Sequence, residues 1–430
     1  MQDGRISFGF RAALATLALA FLVSSSWAAN VRKLHNFGLT GDDGRYPQYG
    51  SLVFDSYGNL YGTTTEGGNN ACSPHGCGAV YQLKPNGDGT WTAMVIHYFG
   101  NGTDGITPQG TLVFDHQGNM FGTTSAGGNY GKGTVYEVSP DGNGGFREQK
   151  IHNFGSGSDG ATPYAGLVFY NGNLYGTTSE GGNYGEGTAF EMVRNSDGTW
   201  TETKMHNFGI NGADGSEPYA GLTVDAAGNF YGTTWTGGAS SCNCGTVYQI
   251  TSNGDGTWNE HKLHTFGMNS ADGAYPNAEV IMDSAGNLYG TTTSGGNYTC
   301  DSAGCGTAYE LTPNGNGTWA ESKIHNFGAN AADSAVPWGP LVLDNSGNLY
   351  GTTEHGGNYQ CDTGTCGTIF RLTSNGSGGW TAVKVHNFGT ESSDGTNPYG
   401  GLIFDASGNL YGATYTGGDY GVGAVFIVTP

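Results

Sequence analysis

Asn59-Leu60-Tyr61-Gly62-Thr63-Thr64 decides the fold, because it occurs seven times. It reads as a short strand and returns, with minor changes, at Asn119, Asn173, Asn229, Asn287, Asn348 and Asn409. A second signature, Leu34-His35-Asn36-Phe37-Gly38, ends another strand and recurs around His97, His152, His206, His264, His325 and His386. A third, Ala79-Val80-Tyr81-Gln82-Leu83, comes back at Thr134, Thr188, Thr246, Thr307, Thr368 and Ala424. Successive histidines lie 54 to 62 residues apart, a propeller-like period.

Each unit reads as four strands, A to D. In the first unit these are the Leu52-Val53-Phe54-Asp55 run, Asn59 to Thr64, Ala79 to Leu83, and Trp91 to Phe99, the last with Trp91, Val95, His97 and Phe99 expected on one face. Ser56-Tyr57-Gly58-Asn59 joins A to B, and Asn86-Gly87-Asp88-Gly89 joins C to D; Asn-Gly and Asp-Gly are strong hairpin signals. Four antiparallel strands per unit with no helical stretch between units imply an all-β, seven-bladed β-propeller of four-stranded antiparallel blades. The last unit stops at Phe426-Ile427-Val428 without a strand D, and Val31 to Phe37 is a strand D without a unit. The N-terminal strand is therefore expected to complete the last blade and close the ring.

Composition agrees. Glycine supplies 80 of 430 residues, which excludes long helices, and aromatic residues at 12% exclude a disordered chain. A net charge of −21, from 15 Lys+Arg against 36 Asp+Glu, excludes electrostatic nucleic-acid binding and attachment to an anionic membrane surface. Residues 1–28 read as a signal peptide: Arg5 and Arg11 precede an apolar run from Ala12 to Val23, and Ser26-Trp27-Ala28 offers a cleavage site. Residues 29–430 are then expected to form one propeller domain, soluble, secreted or periplasmic, monomeric, and without a C-terminal anchor or stable membrane insertion.

The run Leu/Phe-Tyr/Phe-Gly-Thr-Thr-x-x-Gly-Gly-Asn, followed by Gly-Thr-Val-Tyr/Phe, resembles the Gloeobacter/Verrucomicrobium tandem repeat of exported bacterial proteins. The resemblance implies a propeller and export, and carries no activity. Kelch and galactose-oxidase propellers are analogues of architecture only, and a shared fold does not transfer function.

Repetition inside one chain separates structural from functional residues: what every blade carries, every blade needs. The seven histidines sit on the outermost strand and cannot converge on one ion, so they read as packed blade residues. Asp43, Asp104, Asp159, Asp214, Asp272, Asp333 and Asp394 each precede a proline by four residues and read as turn formers; calcium is the rival, but each loop offers one carboxylate. Eight cysteines fall as Cys72/Cys77, Cys242/Cys244, Cys300/Cys305 and Cys361/Cys366, each pair inside one B–C loop. Both cysteines or neither per loop predicts local disulfides, closure of a six-residue loop being worth about 2 kcal/mol, and export supplies the oxidising compartment. No metal and no cofactor motif is expected.

The B–C and D–A loops share one face, which carries most of the variation. There the residue after each loop proline forms a candidate ligand-binding ring: Gln48, Gln109, Tyr164, Tyr219, Asn277, Trp338 and Tyr399. Strand B ends add Glu66, Glu180, Trp235, Glu354, His355 and Tyr415, and Glu279 puts a carboxylate where other blades have Gly166, Gly221, Gly401, Thr111 or Pro340. Amides and aromatics suit sugar rings, and the rival reading is that they fill a tapered channel. No nucleophile elbow, zinc-protease helix or phosphate loop appears. The expectation is a non-catalytic binding or scaffold module, for an extracellular glycan or a protein partner. A carbohydrate-active hydrolase or lyase using top-face carboxylates is the alternative, and a surface adhesion module the third.

Overall fold

The computed structural model describes residues 29–429 except 41, 69–71, 73, 270, 301–303, 331–332, 362–363 and 391–393. The expected signal segment, residues 1–28, lies outside the described residues. Blade 1 consists of strand A (Val53–Phe54), strand B (Leu60–Thr64), strand C (Ala79–Pro85) and strand D (Trp91–Tyr98), hydrogen-bonded in that order. Five further sheets repeat it. The seventh joins Ile403–Phe404, Leu410–Thr414 and Ala424–Thr429 to Asn30–Asn36 from the other end of the chain, with Val31 opposite Val428 and Asn36 opposite Ala424. The ring is a closed seven-bladed propeller.

Each residue of the repeated strand B has a task. Asn59 donates its amide and its side chain to Asp55, at 2.9 and 2.7 Å, and Tyr61 adds its hydroxyl at 3.0 Å. Partial burial pushes the Asp55 carboxyl up, but these bonds outweigh it and hold the group below the usual carboxylate range. Gly62 is glycine because the Tyr81 hydroxyl of strand C would lie 2.5 Å from any Cβ there. The first threonine reaches across to the next blade: Thr123 donates to the Ala165 carbonyl at 2.7 Å and Thr177 to that of Ala220 at 2.7 Å. The second stays within the blade, as Thr124 does with Thr134 at 2.8 Å. Blade 3, where Tyr170 replaces the aspartate, borrows Glu191 from strand C instead, bonded by Asn173 and Tyr175 at 2.9 and 2.8 Å.

The apolar core is divided among the seams between blades. One cluster joins Tyr61, Val80 and Phe99 of blade 1 to Leu112, Met120 and Tyr136 of blade 2, and an equivalent cluster fills each of the other seams. Lysines at one position of strand D add a polar tie to the preceding blade: Lys150 to the Thr103 carbonyl at 2.7 Å, Lys204 to Ser158 at 3.0 Å, Lys262 to Ala213 at 2.7 Å.

Strand D does not keep the single face expected of Trp91, Val95, His97 and Phe99. Tyr81 pairs with Val95 but Val80 with His97, so Ile96 is an extra residue, a β-bulge. Trp91 therefore packs on Tyr411 of blade 7, whereas Phe99 packs on Tyr136 of blade 2. The same register shift recurs in blades 2 to 6. Beyond the bulge five of the seven histidines meet the loop aspartate of their own repeat, among them His97 and Asp104 at 3.2 Å, His152 and Asp159 at 3.1 Å and His206 and Asp214 at 3.2 Å, whereas the buried His264 Nε2 makes no hydrogen bond. The two repeated polar residues are partners.

The residue before each loop proline is left-handed. Tyr46, Thr107, Thr162, Glu217, Tyr275, Val336 and Asn397 have φ between 54° and 60°, and none is glycine. Such a conformation costs on the order of 1–3 kcal/mol per residue. It lets one peptide join two blades. The Val336 amide donates to the Cys305 carbonyl of blade 5 at 2.9 Å, and its own carbonyl accepts from Glu354 of blade 6 at 3.0 Å. Glu217 does the same between Glu186 and Trp235.

Relieving the strain without touching these backbone bonds stabilises the ring. Thr162→Gly is expected to raise unfolding free energy by about 0.5–1 kcal/mol in urea melts. Gly176→Ala, whose new methyl would sit 2.7 Å from the Phe190 ring, is expected to lower it by about 1–3 kcal/mol. No gain for the first variant would mean that the left-handed positions carry no strain.

Candidate functional site

The seven loop prolines deliver the chain to the channel mouth, and three residues then separate proline from the strand A leucine in the usual spacing, Pro163-Tyr164-Ala165-Gly166-Leu167. Blade 1 has one residue more, Pro47-Gln48-Tyr49-Gly50-Ser51-Leu52, so Tyr49 takes the place expected of Gln48. A cavity of about 360 Å³ opens at the mouth, bounded by Tyr49, Tyr164, Tyr219, Trp235, Asn277, Glu279, Trp338 and Tyr399 together with small residues of the inner loops. Gln48 and Gln109 do not bound it; Gln109 is 8% exposed, with its side-chain oxygen buried and without a hydrogen bond. The spacing between proline and leucine is the signal that identifies Tyr49.

The aromatic residues form a nearly continuous belt. Trp235 stacks on Trp338 with centroids 5.8 Å apart and planes 16° from parallel. Tyr219 meets Trp235 at 6.0 Å and Tyr164 at 5.0 Å. On the other side Tyr399 touches Trp338 at 5.8 Å, Tyr49 at 5.9 Å and Tyr415 at 5.3 Å. Burial, reinforced by the Glu354 charge, pushes the Tyr49 hydroxyl up to about 12, so it is a hydrogen-bond donor at physiological pH.

Strand alternation divides the acidic candidates. Trp235, Glu354 and Tyr415 occupy one position at the end of strand B, and Glu66, Glu180 and His355 the next. Glu354 takes the indole N–H of Trp338 on one oxygen at 2.5 Å and the Tyr399 hydroxyl on the other at 2.6 Å. His355 lies 3.6 Å from it. Glu180 is half-exposed on the rim and paired with Lys132 at 3.2 Å, and Glu66 faces His75 at 3.7 Å.

Glu279 differs from all of these. Its carboxyl lies over the bare Cα of Gly221, where a Cβ would stand 2.2 Å from a carboxylate oxygen. Burial is the cause of its shift from an ordinary 4.5 to about 7. The site thus combines stacked aromatic faces, tyrosine donors, one amide and one acid poised near neutrality.

The four cysteine pairs are disulfides, with Cα–Cα separations of 5.1 to 5.3 Å. They brace the mouth: the carbonyls of Cys77, Cys244, Cys305 and Cys366 accept the amides of Thr107, Tyr275, Val336 and Asn397, the left-handed residues of the following blades.

Stability should report the Glu279 proton. The folded chain keeps it to about pH 7 while the unfolded chain releases it near 4.5. The native state binds more protons between these values, so stability falls as pH rises through that window. Glu279→Gln removes the loss: it should match wild type near pH 4 and exceed it at pH 8 by on the order of 3 kcal/mol. Parallel melting curves for the two proteins at all pH values would contradict this.

Comparison with known proteins follows the geometry. Two solved structures share the fold at a TM-score of 0.52: the extracellular domain of a candidate one component system of B. thetaiotaomicron, at 9% identity, and that of a candidate hybrid two component system of the same organism, at 10% identity. Each alignment covers 92% of this chain, which spans 39% of the other's length. A protein of unknown function from Dyadobacter fermentans aligns over 93% of this chain and 98% of its own at 12% identity, with a TM-score of 0.44. No curated protein matches the sequence. Among the described residues no helix is long and apolar enough to cross a membrane. The Gloeobacter/Verrucomicrobia repeat matches residues 21–168, 71–302 and 240–430. With all seven blades covered by these overlapping matches, the chain belongs to the Gloeobacter/Verrucomicrobia repeat family.

Proposed function

We propose that residues 29–430 act outside the cytoplasm, after removal of residues 1–28, as a single binding domain that seats a small carbohydrate in the channel mouth. The observation that carries this reading is the cavity itself: flat aromatic faces at Trp235 and Trp338, hydroxyl donors at Tyr49, Tyr164 and Tyr219, and acceptors at Asn277 and Glu279. An apolar cleft with a few placed polar groups is the usual form of a small-molecule site, and about 360 Å³ falls at the small end of the range for such pockets. A sugar ring offers an apolar face to stack and hydroxyls at its edge, matching both kinds of wall. The partner is an extracellular glycan, and its chain end, one or two rings long, is what the cavity admits.

Catalysis is the weaker reading. Glycoside hydrolysis needs two carboxyl groups flanking the bond, one of them free to exchange a proton or attack. Glu279 has the acidity of a proton donor, but both oxygens of Glu354, the acid bonded to the aromatic belt, are already committed to Trp338 and Tyr399. Those bonds fix the carboxyl group in place, where it orients the belt.

Tryptophan fluorescence titrated with glucose, galactose, N-acetylglucosamine and their short oligomers, with calorimetry on any that respond, tests the proposal. A saturable change is expected with at least one saccharide, weakened at least tenfold in Trp338→Ala and unchanged in Lys132→Ala on the rim. Absence of binding across the panel, or equal affinity in Trp338→Ala, would overturn it. New reducing ends that disappear in Glu279→Gln would replace binding with hydrolysis.

A further inference from the structure

Each histidine–aspartate pair belongs to one blade, and strand D of the next blade faces it across the seam. Four of those strands carry a glutamate in the third position, Glu148, Glu202, Glu260 and Glu321; the other three carry Val31, Ala93 and Ala382. In two seams the three side chains converge. His97, Asp104 and Glu148 between blades 1 and 2, and His206, Asp214 and Glu260 between blades 3 and 4, bring one ligand atom each to within 4.8 Å of one another.

We propose that these two seams are divalent-cation sites, each built from one imidazole and two carboxylates contributed by adjacent blades. His97 Nε2 stands 3.2 Å from Asp104 Oδ2, and His206 Nε2 the same distance from Asp214 Oδ2, a separation that suits neighbouring ligands on one ion. Glu148 brings an oxygen that is buried and makes no hydrogen bond. Tyr136 and Tyr248 are wholly buried in the same two seams with hydroxyls that have no hydrogen-bond partner, as is Tyr309 in the seam between blades 4 and 5, where no such cluster forms among the described residues. Tyr136 is raised by the charges of Glu148 and Asp104, and Tyr248 by those of Glu260 and Asp214, after the larger effect of burial itself. Two carboxylates facing each other in a seam are unfavourable, and an ion between them removes the conflict.

The ligand set selects the ion. Calcium and magnesium prefer shells made of oxygen, whereas imidazole with carboxylates suits zinc or manganese. Lys150 and Lys262 lie nearby in the first and second seam, but each ammonium is held by a loop carbonyl of the preceding blade, at 2.7 Å in both cases. The seam between blades 2 and 3 has the same acids but Phe190 in place of the tyrosine. The histidines cannot meet on one central ion, yet each can share an ion with its neighbouring blade. Such an ion would tie blade to blade outside the apolar core.

Metal content measured after dialysis of untagged protein against Zn²⁺, and separately Mn²⁺, decides the matter, with Ca²⁺ as comparator. Two ions per chain are expected for wild type, one for Glu148→Gln, and none for Glu148→Gln/Glu260→Gln. Glu137→Gln, on the opposite face of blade 2, should keep both. Because each glutamine removes a buried charge, the variants should melt no lower than metal-free wild type. Wild type should melt higher with zinc or manganese and the double variant should not. A wild-type protein that binds neither ion at the seams, or a double variant that still binds two, overturns the proposal.

Discussion

One strained peptide per blade holds the mouth of this propeller together. The residue before each loop proline sits at φ between 54° and 60°, and from there its amide bonds the preceding blade while its carbonyl bonds its own strand B. The proline that follows prevents the chain from relaxing, since its ring fixes the next φ. What comes after proline is therefore aimed: Tyr164, Tyr219, Asn277, Trp338 and Tyr399 reach the cavity from rigid starting points. In four seams a disulfide anchors the accepting carbonyl, so the covalent staples and the strained peptides act on the same joint. Strain kept by the surrounding structure at a ligand-facing loop is a form of preorganisation, because the site loses little freedom when something binds.

The repeated strand B was legible to the residue, and the reason is repetition. A motif returning seven times with the same neighbours fixes blade number, strand order and closure, since only Val31 to Phe37 can complete Phe426 to Val428. Features that depend on counting across an insertion or a bulge were not. Tyr49 lies one residue beyond the position that counting from Pro47 suggests, and the spacing to Leu52 carries the signal. Trp91 and Phe99 look like one face of a strand until the extra residue at Ile96 turns the chain over. The left-handed residues are harder still: Tyr, Thr, Glu, Val and Asn share no chemistry, and a residue before proline is ordinarily extended. Nothing local encodes that conformation; the bond to the preceding blade and the bond to its own strand B impose it.

Acidity gains meaning by location. Strand A aspartates cap turns, loop aspartates hold histidines, and strand D glutamates cross the seams. Glu279 belongs to none of these classes, and it faces the cavity instead of a hydrogen-bond donor. Internal repetition makes such a departure visible, because six other blades show what the position holds when it serves only the fold. The same comparison isolates Trp235 and Trp338, whose counterparts in other blades are smaller or polar. Function is sought where the repeats disagree and the geometry brings the disagreements together.

The most direct measurement is a crystal structure of the protein grown with a saccharide that gives a fluorescence response. The account predicts a sugar ring in the channel mouth, its apolar face about 4 Å from the Trp235 or Trp338 indole and a polar substituent on Asn277 or Glu279, with the backbone of the seven left-handed residues unmoved. A saccharide bound on the outer blades with only solvent in the channel, or a mouth that rebuilds its loops to admit the ring, would contradict it.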